Sequence, residues 1–121
     1  MAYETITVEV DDHVATITLN RPERLNALGR ELGQARARAL KDASEDDDIL
    51  VVIVTGAGGR AFSAGADLKG GVPDEVKGQR FLGDRGTNPG PDASRQHFFY
   101  GFTKLHKDIS FIRKPTIAMI N

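Results

Sequence analysis

The chain opens with two short runs in which apolar and polar residues alternate. Ile6, Val8 and Val10 share one side of an extended segment, and Ala15, Ile17 and Leu19 repeat the period after a turn at Asp11-Asp12. The pattern predicts a β-hairpin with one buried face. Asn20-Arg21-Pro22-Glu23 ends the second strand, because proline fixes φ and cannot donate to a ladder. Over residues 28–43 the period becomes helical: Leu28, Leu32, Ala35 and Ala39 fall at i, i+4, i+7 and i+11. Gly29 and Gly33 each cost that helix about 1 kcal/mol relative to alanine, so packing must hold it, and the small face suits close approach to a sheet. Glu45-Asp46-Asp47-Asp48 reads as the solvated acidic turn that ends it rather than as a cation site.

Ile49 to Val54 is an unbroken apolar run, as expected of a strand buried on both faces. Hairpin, helix and buried strand together point to an α/β architecture with some antiparallel edge. A glycine-rich stretch follows, from Thr55 to Gly71. Residues 70–93 are polar and broken, with Gly-Thr-Asn-Pro-Gly-Pro at 86–91, and read as a mobile loop insertion. A second helix is expected over 94–113, where Phe98, Phe102, Leu105, Ile109 and Ile112 step by 4, 3, 4 and 3 and form a stripe best explained as core packing. Lys114-Pro115 stops it, since the residue before proline avoids the α region. Thr116 to Asn121 begins another apolar strand, and no internal repeat is visible.

Composition narrows the class of protein. With 121 residues, 40% hydrophobic and 27% charged, the chain sits near the globular average and has the size of one domain, which excludes disordered, collagen-like and coiled-coil classes. A net charge of -1 gives no pull toward nucleic acid or an anionic membrane. No apolar run reaches the length of about 18 residues that a membrane helix needs. The start, Met-Ala-Tyr-Glu-Thr, lacks the basic and apolar regions of a signal peptide, so the expected location is cytoplasmic. The absence of cysteine removes disulfides, thiolate metal sites and thiol catalysis. Glycine is unevenly spread: ten of the 13 lie between Gly56 and Gly90.

Three chemistries compete for that glycine stretch. Gly56-Ala57-Gly58-Gly59-Arg60-Ala61 formally satisfies the dinucleotide fingerprint G-x-G-x-x-G/A, which requires a helix to open there and aim its N–H groups at a pyrophosphate. Ala61-Phe62-Ser63-Ala64-Gly65 resembles a nucleophile elbow with alanine in the first glycine's place, although Ser63 lies nine residues past Val54. A Walker A loop fails, because no Gly-Lys-Ser/Thr occurs. In the third reading, strand, glycine turn and a helix starting near Ala66 place backbone N–H groups against a ligand carbonyl, with Gly65 allowing close approach. Asp67, in the first turn of such a helix, serves equally well as a partner of the helix terminus.

Three segments carry a family resemblance: Thr18-Leu19-Asn20-Arg21-Pro22-Glu23-Arg24-Leu25-Asn26-Ala27-Leu28, then residues 52–69 ending Ala61-Phe62-Ser63-Ala64-Gly65-Ala66-Asp67-Leu68-Lys69, then Lys114-Pro115-Thr116-Ile117-Ala118-Met119-Ile120-Asn121. In that order they resemble the enoyl-CoA hydratase/isomerase (crotonase) superfamily. The resemblance implies the N-terminal portion of a single crotonase-like (ClpP/crotonase) domain, a spiral of ββα units spanning residues 1–121. It implies an acyl-CoA thioester substrate, with coenzyme A part of that substrate and no separate cofactor or metal, and a homo-oligomer, trimeric or hexameric. By position it makes the main-chain N–H of Ala66 half of an oxyanion hole. Ala64, Gly65, Asp67, Leu68 and Lys69 would line the acyl and CoA site, and Arg24, Leu25 and Ala27 would border the adenosine-phosphate end. Arg24 also suits phosphate as a charged loop residue, while an ordinary solvated arginine explains it as well.

The implied leading reaction is hydration of a 2-enoyl-CoA. Adding water across an unsaturated thioester puts negative charge on the thioester oxygen, and removing one preorganised donor there raises the barrier by roughly 2.7–4 kcal/mol. A carboxylate near the α or β carbon would move the protons. The family's second donor and its proton-delivering glutamates come from a glycine-rich segment after the Lys-Pro-x-Ile-Ala strand, past Asn121, so no catalytic acid or base is assigned. Isomerases, thioester hydrolases, decarboxylases and dehalogenases resemble one another through this region. A CoA-binding module without catalysis and an NAD-dependent oxidoreductase fragment are the readings from other classes. His97 and His106, nine residues apart, lack metal-ligand spacing and read as surface or pocket-rim residues.

Overall fold

The computed structural model describes residues 3–65 and 103–121. In chain order they form strands β1 (Ile6–Asp11) and β2 (Val14–Leu19), a 3-10 turn at Pro22–Arg24, helix α1 (Arg30–Glu45), strand β3 (Val51–Gly56), helix α2 (Thr103–Ser110) and strand β4 (Thr116–Met119). The strands make one sheet in the order β1-β2-β3-β4. β1 and β2 pair antiparallel, while β2 with β3 and β3 with β4 are parallel. The expected α/β sheet with an antiparallel edge is therefore what forms. Antiparallel neighbours can be joined by a tight turn; the parallel pair β2/β3 needs a crossover, and α1 supplies it.

The hairpin turn lies one residue later than the sequence pattern suggests. Asp11 still pairs with Val14, and Asp12 and His13 make the reversal with φ of 42° and 66°. Positive φ at both central positions gives a turn whose twist matches that of the strands. The His13 ring helps hold it, because Nδ1 lies 2.7 Å from the Asp48 carbonyl and must carry the hydrogen there.

The core lies between α1 and one face of β2 and β3. Ala15, Ile17 and Leu19 stand in register with Val52, Val54 and Gly56. Leu32, Ala39, Leu40 and Ala43 of α1 cover them, and all are buried except for traces of surface. Each large aliphatic side chain enclosed there contributes about 1.5–3 kcal/mol. The hairpin does not bury its whole apolar face: Ile6 is enclosed, but Val8 and Val10 are 37% and 56% exposed. Both belong to the edge strand, beyond the reach of α1. Likewise β3 is not covered on both faces, since Val51 and Ile53 are half-buried on the side away from α1.

Helix α1 starts two residues later and ends two residues later than its apolar spacing indicates. Leu28 and Gly29 use their N–H groups elsewhere, on the carbonyls of Gly65 (2.7 Å) and Ala27 (3.0 Å), and Gly29 is extended with ψ of -177°. At the far end the helix has no basic residue of its own in the last turn. Lys114 supplies the missing charge from 71 residues away in sequence, its ammonium donating to the carbonyl of Ala43 at 2.7 Å and to that of Asp46. The Ala43 carbonyl is one that a helix end leaves without an intrahelical partner, while that of Asp46 also accepts the Ile49 N–H at 3.1 Å, and a cation there meets the negative end of the dipole. The acidic turn behind it is exposed, with Asp46 Oδ1 accepting from the Asp48 N–H at 2.9 Å.

α2 ends four residues before this lysine. Phe111 closes the last turn on the Lys107 carbonyl (2.9 Å), and the Pro115 carbonyl accepts from the Val52 N–H at 3.0 Å as β4 begins. The reversal between these points occupies the residues that helical spacing had carried to 113. Of the expected stripe, Ile109 and Ile112 pack against the core. Phe98, Phe102 and the loop 70–93 lie outside the described residues, as does the side chain of Leu105. On α1, burial pulls the Arg36 pKa below the ordinary arginine value while the charge of Asp108 on α2 raises it. No helix among the described residues is long and apolar enough to cross a membrane.

Replacing Lys114 by methionine keeps the apolar stem and removes both bonds to the end of α1. The expected loss is about 1–2 kcal/mol of folding stability, read from the urea midpoint at unchanged slope. An unchanged midpoint would show that the α1 terminus is satisfied without it.

Candidate active site

The parallel register of β2 and β3 decides where the site lies. Leu19 pairs with Gly56, so the carboxyl ends of both strands stand side by side. The Ala57 N–H extends this contact by bonding the Leu19 carbonyl at 2.7 Å. The segments that follow, residues 20–28 and 57–65, leave the sheet at that end, where open α/β sheets take their ligands.

The two segments are bound to each other through Asn26, a polar side chain with no exposed surface. Its Oδ1 accepts the Arg21 N–H at 2.9 Å, and Nδ2 donates to the carbonyls of Ala57 (2.9 Å) and Ala61 (3.0 Å). Both amide hydrogens are thus engaged, as a buried carboxamide requires. Its backbone carbonyl accepts the Ser63 hydroxyl at 2.8 Å, and Ser63 Oγ accepts the Gly65 N–H at 3.2 Å. The main chain completes the join: Ala64 N–H donates to Leu25 (2.9 Å) and Leu28 N–H to Gly65 (2.7 Å). Leu25 and Asn26 have φ of 52° and 53°. A non-glycine residue in that region costs of order 1–3 kcal/mol, and such strain gathers at functional turns.

Glycine has a steric reason at two positions. A Cβ on Gly56 would sit 2.4 Å from the Phe62 carbonyl oxygen and 2.8 Å from its Cα, so the returning backbone occupies a side chain's place. Gly65 has φ of 84°, which an L side chain rarely adopts, and nothing lies within 4 Å of where its Cβ would be. From the other side, Asn121 donates through Nδ2 to the carbonyls of Gly56 (3.0 Å) and Gly58 (2.8 Å), and Thr55 Oγ1 donates to Met119 at 2.8 Å. A notch of about 110 Å³ opens between Pro22, Leu25 and the Gly58–Ala61 turn. That is well under the 300 Å³ or so of a typical small-molecule pocket.

The structure thus brings the described members of the expected site together. Arg24, Leu25 and Ala27 lie on the turn after β2, with Ala27 buried, and the adjoining loop carries Ala64, exposed, and Gly65, half-buried. Ala66, Asp67, Leu68 and Lys69 lie outside the described residues, as do His97 and the side chain of His106. Among the described residues no group of histidine and acidic side chains could hold a metal ion. A dinucleotide loop would open a helix directly after the strand, whereas residues 57–65 form bends without a helix. An elbow serine would follow the strand at once; β3 ends at Gly56, and the Ser63 hydroxyl is engaged both as donor and as acceptor. Asn26, Ser63 and Asn121 are the contributors that sequence reasoning missed. An asparagine behind a proline turn signals tolerance of positive φ, but nothing local shows which carbonyls it will meet.

Sheet, crossover helix and joined loops define a crotonase-type fold. Over residues 14–121 the sequence matches the family model described as "Enoyl-CoA hydratase/isomerase". The chain belongs to the enoyl-CoA hydratase/isomerase family. It is 38% identical over 120 residues to a probable enoyl-CoA hydratase, echA8, of Mycobacterium bovis, covering 99% of this chain and 39% of that protein. It is 36% identical over 120 residues to the 1,2-epoxyphenylacetyl-CoA isomerase of Escherichia coli, covering 98% and 40%. A crystal structure of an enoyl-CoA hydratase/isomerase from Xanthobacter autotrophicus Py2 superposes with a TM-score of 0.75 at 36% identity, covering 99% of this chain and 39% of that one. A probable enoyl-CoA hydratase from Mycobacterium thermoresistibile gives 0.77 at 30% identity, over 96% and 41%. The chain therefore spans about two fifths of the length of these relatives.

Gly56→Ala is expected to destabilise the protein by about 1–3 kcal/mol, because the atoms it meets are backbone. Gly59, whose Cβ position is open, is the comparison: Gly59→Ala should change the denaturation midpoint by well under half as much. Equal losses would mean that the Phe62 backbone yields.

Proposed function

We propose that this chain supplies the thioester-carbonyl side of an acyl-CoA site, and that the protein adds water across the double bond of a 2-enoyl-CoA. The observation that carries the proposal is the joining of the two loops at Leu25–Leu28 and Ala64–Gly65 in a chain of this family. The Gly65 carbonyl is held by the Leu28 N–H, and a peptide is planar, so the N–H on the other side of that unit belongs to a constrained plane. That N–H is Ala66's, here assigned as one donor to the thioester oxygen.

The step it would assist is electrostatic. Oxygen from water bonds to C3 of the enoyl group as one of its O–H bonds breaks and that proton passes to a base, the C2=C3 π electrons move toward the thioester, and the oxygen of the enolate carries the charge until C2 takes a proton. A fixed donor favours the charged state over the substrate, which is how it accelerates the reaction. Ala64, Gly65, Asp67, Leu68 and Lys69 are assigned to the acyl and pantetheine path, and Arg24, Leu25 and Ala27 to the adenosine-phosphate end. The proposal includes no cofactor beyond the coenzyme A of the substrate, a homo-oligomer, and a cytoplasmic setting. Isomerisation of an acyl-CoA is the second reading, supported by the 36% identity to the Escherichia coli isomerase; shifting a double bond into conjugation would likewise place charge on the thioester oxygen.

Both readings are separable by ultraviolet absorbance of the complete gene product with substrate. Hydration of crotonyl-CoA destroys the conjugated thioester and lowers the absorbance, whereas shifting the double bond of a 3-enoyl-CoA into conjugation raises it. Ala66→Val should reduce kcat by about tenfold or more through crowding at the donor, with Ala66→Ser much milder. Absence of both signals would overturn the activity, and full kcat in Ala66→Val would displace the donor from that position.

A further inference from the structure

The bonds that join the two loops are not spread evenly. They converge on the turn at Ala64-Gly65, where nothing lies within 4 Å of the Gly65 Cβ position. Hydrogen bonds hold this turn. One chain of them runs from the Gly65 N–H to Ser63 Oγ (3.2 Å) and from the Ser63 hydroxyl to the Asn26 carbonyl (2.8 Å). The Asn26 side chain, fully enclosed, fixes the same residue to Ala57 and Ala61 at the start of the loop (2.9 and 3.0 Å). Leu28 and Phe62, on the two joined segments, pack against the sheet core.

We propose that Ser63 and Asn26 are positioning residues of the thioester site: they fix the Ala64–Gly65 peptide, while the Leu28 N–H holds the Gly65 carbonyl, and together these direct the donor that follows. The inference rests on the acyl-CoA reading above. Ser63 acts as a spacer, accepting from one side and donating to the other, which alanine cannot do and threonine can. Asn26 needs both amide hydrogens; an aspartate would keep the acceptor for Arg21 and turn an oxygen toward two carbonyls. Misdirecting a donor affects charge developing on the thioester oxygen more than it affects binding of the rest of the CoA, so kcat should fall while KM holds.

The test uses the complete gene product with Ser63→Ala, Ser63→Thr and Asn26→Asp, and Lys114→Met as a variant weakened far from the loops. Three quantities are read: kcat and KM for crotonyl-CoA, the enolate absorbance of bound acetoacetyl-CoA, and the melting temperature. Ser63→Ala should lose about tenfold in kcat and most of the enolate band with KM within about twofold, and Ser63→Thr should recover both to within about threefold. Asn26→Asp should lose more than Ser63→Ala, and Lys114→Met should lower the melting temperature with the enolate band intact. Should Asn26→Asp fail to fold, the Ser63 pair decides. Folded Ser63 variants with wild-type kcat and enolate band, or a loss confined to melting temperature or KM, would overturn the positioning role alone. A wild-type protein giving neither turnover nor enolate would overturn the acyl-CoA reading and this proposal together.

Discussion

The buried carboxamide of Asn26 has all its hydrogen-bonding groups matched by backbone of two separate loops. A fully enclosed amide with unmatched hydrogens would cost about 1–3 kcal/mol for each group left bare, and here the partners come from a loop 31 and 35 residues further along the chain. The turn after β2 and the loop after β3 must therefore meet. Once they do, the strained φ values at Leu25 and Asn26, the engagement of the Ser63 hydroxyl and the Phe62 backbone in the Cβ position of Gly56 belong to one arrangement.

That meeting depends in turn on the sheet. Had β2 and β3 been antiparallel, their following segments would leave at opposite ends and no side chain could bridge them. The parallel register, with Leu19 opposite Gly56, comes from the crossover through α1 and from the apolar face that α1 covers. Lys114 connects this framework to the next strand, since it caps α1 while its neighbour Pro115 opens β4 beside Val52. β4 then delivers Asn121 to the outer side of the glycine loop. The loop is consequently held from both flanking strands, by an asparagine on each side.

Much of this was legible in the residues. The two-residue period located β1 and β2, the helical spacing located α1, and the apolar run located β3, each to within two residues. The errors have local causes. α1 begins late because Gly29 is extended, with ψ of -177°, and α2 gives way after Ser110 to the reversal that brings Pro115 beside Val52. Val8 and Val10 carry the pattern of a buried face yet stand exposed, because periodicity reports which side a residue takes and not whether anything covers that side. Of the site, the motif segments carrying Arg24, Leu25, Ala27, Ala64 and Gly65 were recognisable as such. Asn26, Ser63 and Asn121 stand in the same segments, but their bonds were not legible, since they run mostly to carbonyls and every residue has one.

By itself, then, the sequence determined what is local or repeated: strand and helix periods, the glycines and prolines that break them, and the ordered motifs by which this chain belongs to its family. Only the tertiary structure decided which side chains meet which carbonyls across 31 to 71 residues of chain: Asn26 on Ala57 and Lys114 on Ala43. The reason is physical. Periodicity is set by bonds between near neighbours, whereas a buried polar side chain takes its partners from whatever the folded sheet brings beside it.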